Sequence, residues 1–295
     1  MSTSDPAVRK DPIIPSEPPR LISLTGRISW IGLSYLVLLA IAVLMVAPFV
    51  AMISVSFQSG ARAATFPIDW IPSAPTLKNY RSLLEHSEIL RWFANSLIVA
   101  LTGTAIAIAT ATTAGYAFAR MQFPGRSVLF WAFLAMLMIP GEVTLIPQYM
   151  LLAKIGWVNT YQALILPGVT SAFGIFLIRQ YLQGLPKDYE EAARMDGASE
   201  FQIYRQVVLP MLTPAIATLG TLQFLNYWND FLYPLIVTSK ANMRTLPVGL
   251  ATLQTPTGGL PELLAGATIA IVPTVVVFLF FQKYFVRGIA TTGLK

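Results

Sequence analysis

Six stretches of this 295-residue chain are predominantly apolar for about 20 residues or more, a length few folds other than a bundle of membrane helices can hold. They lie at about 28–53, 95–116, 128–152, 162–182, 213–237 and 262–281. In hydrocarbon no water is available to bond exposed amides, so a crossing segment has to satisfy its own backbone, which a helix does. Length alone would also suit one large or two ordinary soluble domains. The mean hydropathy of +0.62 and a charged fraction of only 12%, against roughly 25% in soluble domains, argue otherwise. Pro48, Pro140, Pro147, Pro167, Pro234 and Pro273 fall inside these stretches. Membrane helices tolerate proline where neighbours satisfy the freed carbonyls. The expected fold is an all-α integral membrane domain of six transmembrane helices over 28–285. A proline-rich lead at 1–27 reads as disordered rather than as a cleavable signal, and a short tail follows at 286–295.

Between the fourth and fifth stretches, over about 183–212, the chain turns polar. Pro186 can occupy the first turn of a helix, where its missing N–H costs nothing. Asp188, Glu190 and Glu191 fall in that turn and complement the positive end of the helix dipole. Gly197 suits a left-handed stop, and Ser199 with Gln202 reads as a capping box that restarts a helix. Tyr189, Ala192, Ala193 and Asp196 are expected on one face of the first helix, and Phe201, Tyr204 and Val208 on one face of the second. Alanines at the centre of such a face let another backbone or a ring approach closely. The segment reads as a docking element.

Basic residues near the spans set the orientation. With a cytosolic amino terminus, thirteen of the 20 lysines and arginines fall on the inner side and seven on the outer. The 183–212 loop is then cytosolic, and so are both termini. The net charge of +6 is accounted for as a topology signal, without nucleic acid. Cysteine is absent and His86 is the single histidine, which removes disulfides, thiolate metal sites and paired-histidine catalysis. No GxxxxGK[ST] phosphate loop occurs, so the chain is not itself an ATPase.

The spacing Glu191-Ala192-Ala193, three residues, Gly197, nine residues, Val207-x-Leu209-Pro210 resembles the EAA motif of ABC importer permeases, with Val207 where that family more often has isoleucine. The runs Gln223-Phe224-Leu225-Asn226-Tyr227-Trp228-Asn229-Asp230-Phe231-Leu232-Tyr233-Pro234-Leu235 and Gln282-Lys283-Tyr284-Phe285-Val286-Arg287-Gly288-Ile289 resemble the carbohydrate-uptake branch. Asn79-Tyr80 and Asn95-Ser96 fit it too. From about Leu33 onward the chain is similar to the smaller six-span permease subunit of maltose-type systems. Its last residues, Thr291 to Lys295, depart from the small-residue tail of that group.

The resemblance implies a type I importer-like permease in the cytoplasmic membrane of a bacterium or archaeon. It implies a second permease subunit, an ATPase dimer, an extracytoplasmic sugar-binding protein, membrane lipid and a sugar substrate as partners. ATP and Mg would be bound by the ATPase, with no cofactor, metal or catalytic residue in this chain. It places ATPase coupling at Glu190, Glu191, Ala192, Ala193, Asp196, Gly197, Leu209 and Pro210.

In the fifth stretch Gln223, Asn226, Asp230 and Tyr233 fall at i, i+3, i+7 and i+10, one face of a helix, with Tyr227, Trp228 and Asn229 beside it. Polar groups within a span face a cavity or another helix. Amides and carboxylates hydrogen-bond sugar hydroxyls and aromatic rings stack on sugar C–H faces, so this face is a candidate substrate pathway. Interhelical glue between two permease subunits suits the same residues. In the 238–261 loop, exposed leucines suggest a docking surface, and the resemblance to maltose-type systems implies that the binding protein meets it at Gly249, Leu250, Ala251, Thr252, Leu253 and Gln254. A secondary carrier independent of ATP is the competing reading. It would carry ion-coupling carboxylates within the membrane, and beyond Asp230 and Glu142 the spans hold almost none.

Overall fold

The computed structural model describes residues 24–58, 69–253 and 259–292, with side chains described for 32–58, 69–253 and 259–283. Most of the 1–27 lead, Gln254 and the final three residues of the tail thus lie outside the described residues. Among the described residues every regular element is helical.

Helix α1 (Leu24–Ser56) begins inside the stretch expected to be disordered. Its residues up to Val50 form a unit of their own. Along it Leu36, Leu39, Leu44 and Met45 are each more than 60% exposed. An apolar helix of this kind is suited to a lipid surrounding.

The second unit begins at Ala51 and is organised on one long helix. α2 (Lys78–His86) precedes α3 (Ile89–Arg120), and α4 (Arg126–Met136) and α5 (Gly141–Lys154) follow. Along α3, Gly103, Ala107, Ala111 and Gly115 recur every fourth residue and are all buried. Small side chains at that spacing form a flat strip against which other helices pack closely. A Cβ on Gly103 would lie 2.5 Å from the Tyr227 ring and one on Gly115 2.6 Å from Ile178. The chain continues through α6 (Tyr161–Ile165) and a 3₁₀ turn at Leu166–Gly168 into α7 (Ala172–Gln183). The polar loop holds α8 (Asp188–Met195), α9 (Glu200–Ile203), a π turn at Tyr204–Val208 and α10 (Leu209–Met211). α11 (Thr213–Asn229), α12 (Leu232–Val237), α13 (Leu246–Ala251) and α14 (Leu260–Thr292) complete the unit. One core cluster joins α3 to α7, α11 and the polar loop, and a second joins it to α2, α11, α13 and α14.

Three helices are unbroken candidate spans: Gly32–Ser56, Ile89–Arg120 and Leu260–Lys283. Two of the other three expected crossings are bent pairs, and the third, 213–237, begins at a bend out of the polar loop. α4 and α5 meet at 98°, the 161–168 segment and α7 at 41°, and the 200–211 segment and α11 at 75°, giving up to six crossings. Proline explains two breaks. Pro140 carries an extended ψ of 134° and Pro167 sits in the 3₁₀ turn, each lacking the N–H that would continue a helix. Pro48 and Pro273 are accommodated within α1 and α14. The fifth stretch is interrupted as well. α11 ends at Asn229, Asp230 is extended with ψ 126°, and α12 starts at Leu232. The single helical face expected through Gln223, Asn226, Asp230 and Tyr233 therefore does not exist.

Candidate functional site

The polar loop is fastened to the end of α3. Arg120 Nε donates to Glu190 Oε1 at 2.7 Å, and the two side chains are only 5% and 4% exposed. Arg120 Nη2 also donates to the carbonyl of Leu185 at 3.0 Å. One turn earlier Tyr116 donates to Glu200 Oε2 at 2.9 Å, and Thr112 shares a hydrogen bond with the Tyr204 hydroxyl at 2.9 Å. Across the glycine turn, Arg194 reaches Glu200 at 2.7 and 3.2 Å. Gly197 has φ 82°, and Ser199 and Gln202 form both hydrogen bonds of a capping box. Hydrogen bonds from Arg194 first, and then Tyr116, hold the Glu200 carboxyl below the usual glutamate range.

This geometry corrects two expectations. Glu190 is buried against α3, so it anchors the loop from behind and presents nothing outward. Phe201, Tyr204 and Val208 do not share a face. Phe201 is 68% exposed while Val208 is fully buried, because the π turn between them inserts an extra residue and rotates the register. Pro210 sits four residues beyond Gln206 and has no N–H to give its carbonyl, which favours that wide turn. Ala193 is half-buried, packed into the core cluster. Tyr189, Glu191, Ala192, Met195, Asp196 and Phe201 are among the loop's exposed residues, with Leu209 half-buried and Pro210 exposed at the loop's exit. Among the described residues Glu191 and Asp196 make no ion pair. Sequence reasoning missed Arg120, Tyr116, Thr112 and Glu200 as parts of the site. Arg120 counted only as an inner charge, and its one local signal is a lone arginine closing a long apolar run.

A cavity of about 300 Å³ lies between α5, the 3₁₀ turn and the α11–α12 break. Of the seven residues assigned to a substrate pathway, Tyr227, Asp230 and Tyr233 line it. Glu142, Thr144 and Gln148 face them across it; the Pro140-Gly141 break that brings them there is the one sequence hint. The tyrosines are fixed by donating to the carbonyls of Ile165 at 3.1 Å and Ala163 at 2.7 Å. Trp228 is excluded from the pathway: it is 2% exposed, donates to the Ala270 carbonyl at 3.0 Å and stacks on Phe224. Gln223 is buried too, and Asn226 and Asn229 are exposed away from the cavity lining.

The opposite end of α3 holds the 238–253 segment. The Asn95 amide donates to the carbonyls of Asn242 and Arg244, both at 2.9 Å. Trp92 Nε1 donates to Ala241 at 2.9 Å, and Ser96 accepts from the Leu246 amide at 2.8 Å. The leucines expected to be exposed are not. Leu246 is 0% and Leu250 9% exposed, Leu253 packs on the same cluster, and Gly249 is pressed against the Trp92 ring. Thr252 accepts from Arg244 at 2.9 Å. Of the residues expected to meet a binding protein, only Ala251 is exposed, and Gln254 lies outside the described residues.

Membrane-length helices, a braced loop with an outward apolar side and a cavity at helix breaks are the features of a polytopic membrane protein. The chain belongs to the family of binding-protein-dependent transport system inner membrane components, whose profile matches residues 103–291. That membership sets the secondary-carrier reading aside. The arabinooligosaccharides transport system permease protein AraQ of Halalkalibacterium halodurans is 39% identical over 259 residues, 86% of this chain and 93% of that protein. The trehalose/maltose transport system permease protein MalG of Thermococcus litoralis is 33% identical over 261 residues, 86% and 93% of the two chains. In fold, the chain matches a solved bacterial ABC transporter involved in import of the acidic polysaccharide alginate. The TM-score is 0.79 and the identity 24%, covering 89% of this chain and 98% of that one.

Proposed function

We propose that this chain forms half of the translocation pathway of an ATP-driven sugar importer, with the 183–212 loop and both termini on the cytosolic side. One observation carries the reading. The loop is tied down on one side by α3 and leaves Tyr189, Met195 and Phe201 61%, 88% and 68% exposed on the other. An apolar patch rimmed by unpaired Glu191 and Asp196 is an interaction surface. Its occupant is a cleft on an ATPase subunit that binds ATP and Mg. Glu191, Ala192 and Asp196 meet that cleft, and Gly197, Ala193, Leu209 and Pro210 shape the element that enters it. Closure of two ATPases on ATP then moves this chain and a second permease from inward-facing to outward-facing. A full swing requires the states to differ by about 5.5 kcal/mol in their affinity for the driver. The names of the relatives support a sugar as cargo. The cavity carries carboxylates, an amide and tyrosine rings suited to hydroxyl-rich rings, and its volume is at the lower end of ligand sites. The sugar is delivered by an extracytoplasmic binding protein.

The test is affinity purification of the complex from gently solubilised membranes, with and without Glu191→Lys. Capture of an ATPase subunit that is lost on charge reversal is the expected result, and the co-purifying binding protein is then screened against sugars by thermal shift. Undiminished ATPase capture by Glu191→Lys would overturn the docking assignment.

A further inference from the structure

A second cleft, of about 220 Å³, opens between α4 and α7. Its lining includes Arg126, Ser127, Phe130, Trp131, Arg179 and Gln180, and no carboxylate. The Arg179 guanidinium lies 3.9 Å over the Phe130 ring, and its Nε donates to the Phe118 carbonyl at 3.3 Å. Arg126 Nη1 donates to the Met121 carbonyl at 2.8 Å. These contacts hold both forks in place and use one donor of each, out of the five N–H groups a guanidinium carries. Among the described residues neither arginine has an acidic partner, whereas Arg120 and Arg194, at the same end of the bundle, each have one. Two like charges kept together without a counter-charge repel each other unless an anion joins them.

The cleft's position says which anion. α4 starts at Arg126, a short turn after α3 ends at Arg120, and α7 ends at Gln183 and leads into the 183–212 loop. The cleft therefore lies at the membrane boundary on the loop's side. Its lining is also apolar and open: Trp131 is 68% exposed, and Leu134 and Phe176 extend the apolar wall. Tryptophan at this depth is characteristic of the headgroup level. A soluble anion would gain nothing from that wall, but a lipid places its charge in the cleft and its chains along the wall.

We propose that the Arg126–Arg179 cleft binds the phosphate-bearing headgroup of an anionic phospholipid from the leaflet on the loop's side. Ser127 and Gln180 complete the donor set, and the acyl chains lie against Trp131 and Leu134. The choice of leaflet rests on the orientation proposed above, since anionic lipid is concentrated on the cytosolic side. The binding itself is measured without transport or ATPase coupling, so the two readings fail separately.

The experiment uses the purified, delipidated importer complex, titrated with phosphatidylglycerol or phosphatidylcholine and read by native mass spectrometry. The unsubstituted complex is expected to retain phosphatidylglycerol at concentrations where phosphatidylcholine is lost. Arg126→Gln or Arg179→Gln alone should weaken phosphatidylglycerol about fivefold, and both together about thirtyfold, from about 1 kcal/mol per basic residue. Arg126→Lys with Arg179→Lys should keep most of the preference. Equal retention of the two lipids by the unsubstituted complex overturns the proposal, and is the outcome expected where a carboxylate of a partner chain fills the cleft. Displacement of phosphatidylglycerol by millimolar inorganic phosphate would overturn it in favour of a soluble anion. Should the double glutamine variant fail to assemble, the headgroup comparison and the lysine pair decide the matter.

Discussion

The two ends of α3 hold their loops in opposite ways. At the Arg120 end the fastening is ionic and buried, and the loop it secures turns aromatic and methionine side chains outward. At the Trp92 end the neutral side chains of Trp92 and Asn95 donate to backbone carbonyls of the 238–253 segment and Ser96 accepts from one of its amides, and that segment turns its leucines inward. Both loops carry apolar residues between polar ones, and both invite the same reading as a docking surface. The difference lies in which side the anchoring hydrogen bonds occupy. A loop held by its polar side from behind has its apolar side left for a partner, whereas a loop held through its backbone can pack its own side chains.

The comparison can be broken most directly at the ion pair. Arg120→Ala leaves the Glu190 carboxylate buried without a counter-charge, at about 3–5 kcal/mol. Thermal unfolding of the solubilised protein should shift strongly downward, and adding Glu190→Ala should restore much of the loss, because removing both charges is often near neutral. An unchanged transition in Arg120→Ala would show that the pair does not bear the loop.

At the other end Gly249→Ala places a methyl 2.2 Å from the Trp92 ring. Overpacking of this kind costs about 1–3 kcal/mol. The variant should unfold earlier while hydrogen exchange over residues 188–203 stays as it was, which would show that the two ends fail separately.

A smaller effect is expected at the loop's own turn. Gly197 has φ 82° and open space where a Cβ would stand, so Gly197→Ala costs backbone strain alone, on the order of 1 kcal/mol. Hydrogen exchange over residues 188–203 should rise while exchange in α3 stays as it was, and Gly197→Asn should sit in between.

The smallest effect is the titration of Glu200. Its folded-state pKa lies below the ordinary 4.5, so its contribution is complete above that value and is lost as pH falls through the depressed one. Arg194 and Glu200 are 42% and 50% exposed, so solvent screens the pair to about 1 kcal/mol or less. Stability measured between pH 6 and 3.5 should fall slightly more for the unsubstituted protein than for Glu200→Gln.

What the sequence makes legible here is whatever is local. An apolar run is read from the run itself, and the Gly197 stop and the Ser199–Gln202 box involve neighbours within three residues. What stays hidden depends on distant partners. The burial of Glu190 requires Arg120, 70 residues away, and the inward turn of Leu250 requires Trp92. The face through Gln223 and Tyr233 assumed a helix that Asp230 ends, and the pairing of Phe201 with Val208 assumed a regular period that the π turn breaks. Breaks inside apolar stretches are the hardest to foresee, because Pro48 and Pro140 look alike in sequence and only the first remains within a helix.

α3 has 32 residues without a break, which at 1.5 Å each is about 48 Å, well beyond the roughly 30 Å of hydrocarbon. Most of the other crossings in this unit are jointed and can flex at their bends. The one that is braced at both extremities is a stiff lever. A tilt of about 5° about one end sweeps the other through about 4 Å over that length. A tilt of the rod would carry the 238–253 segment with it, because Trp92 and Asn95 hold that segment's backbone.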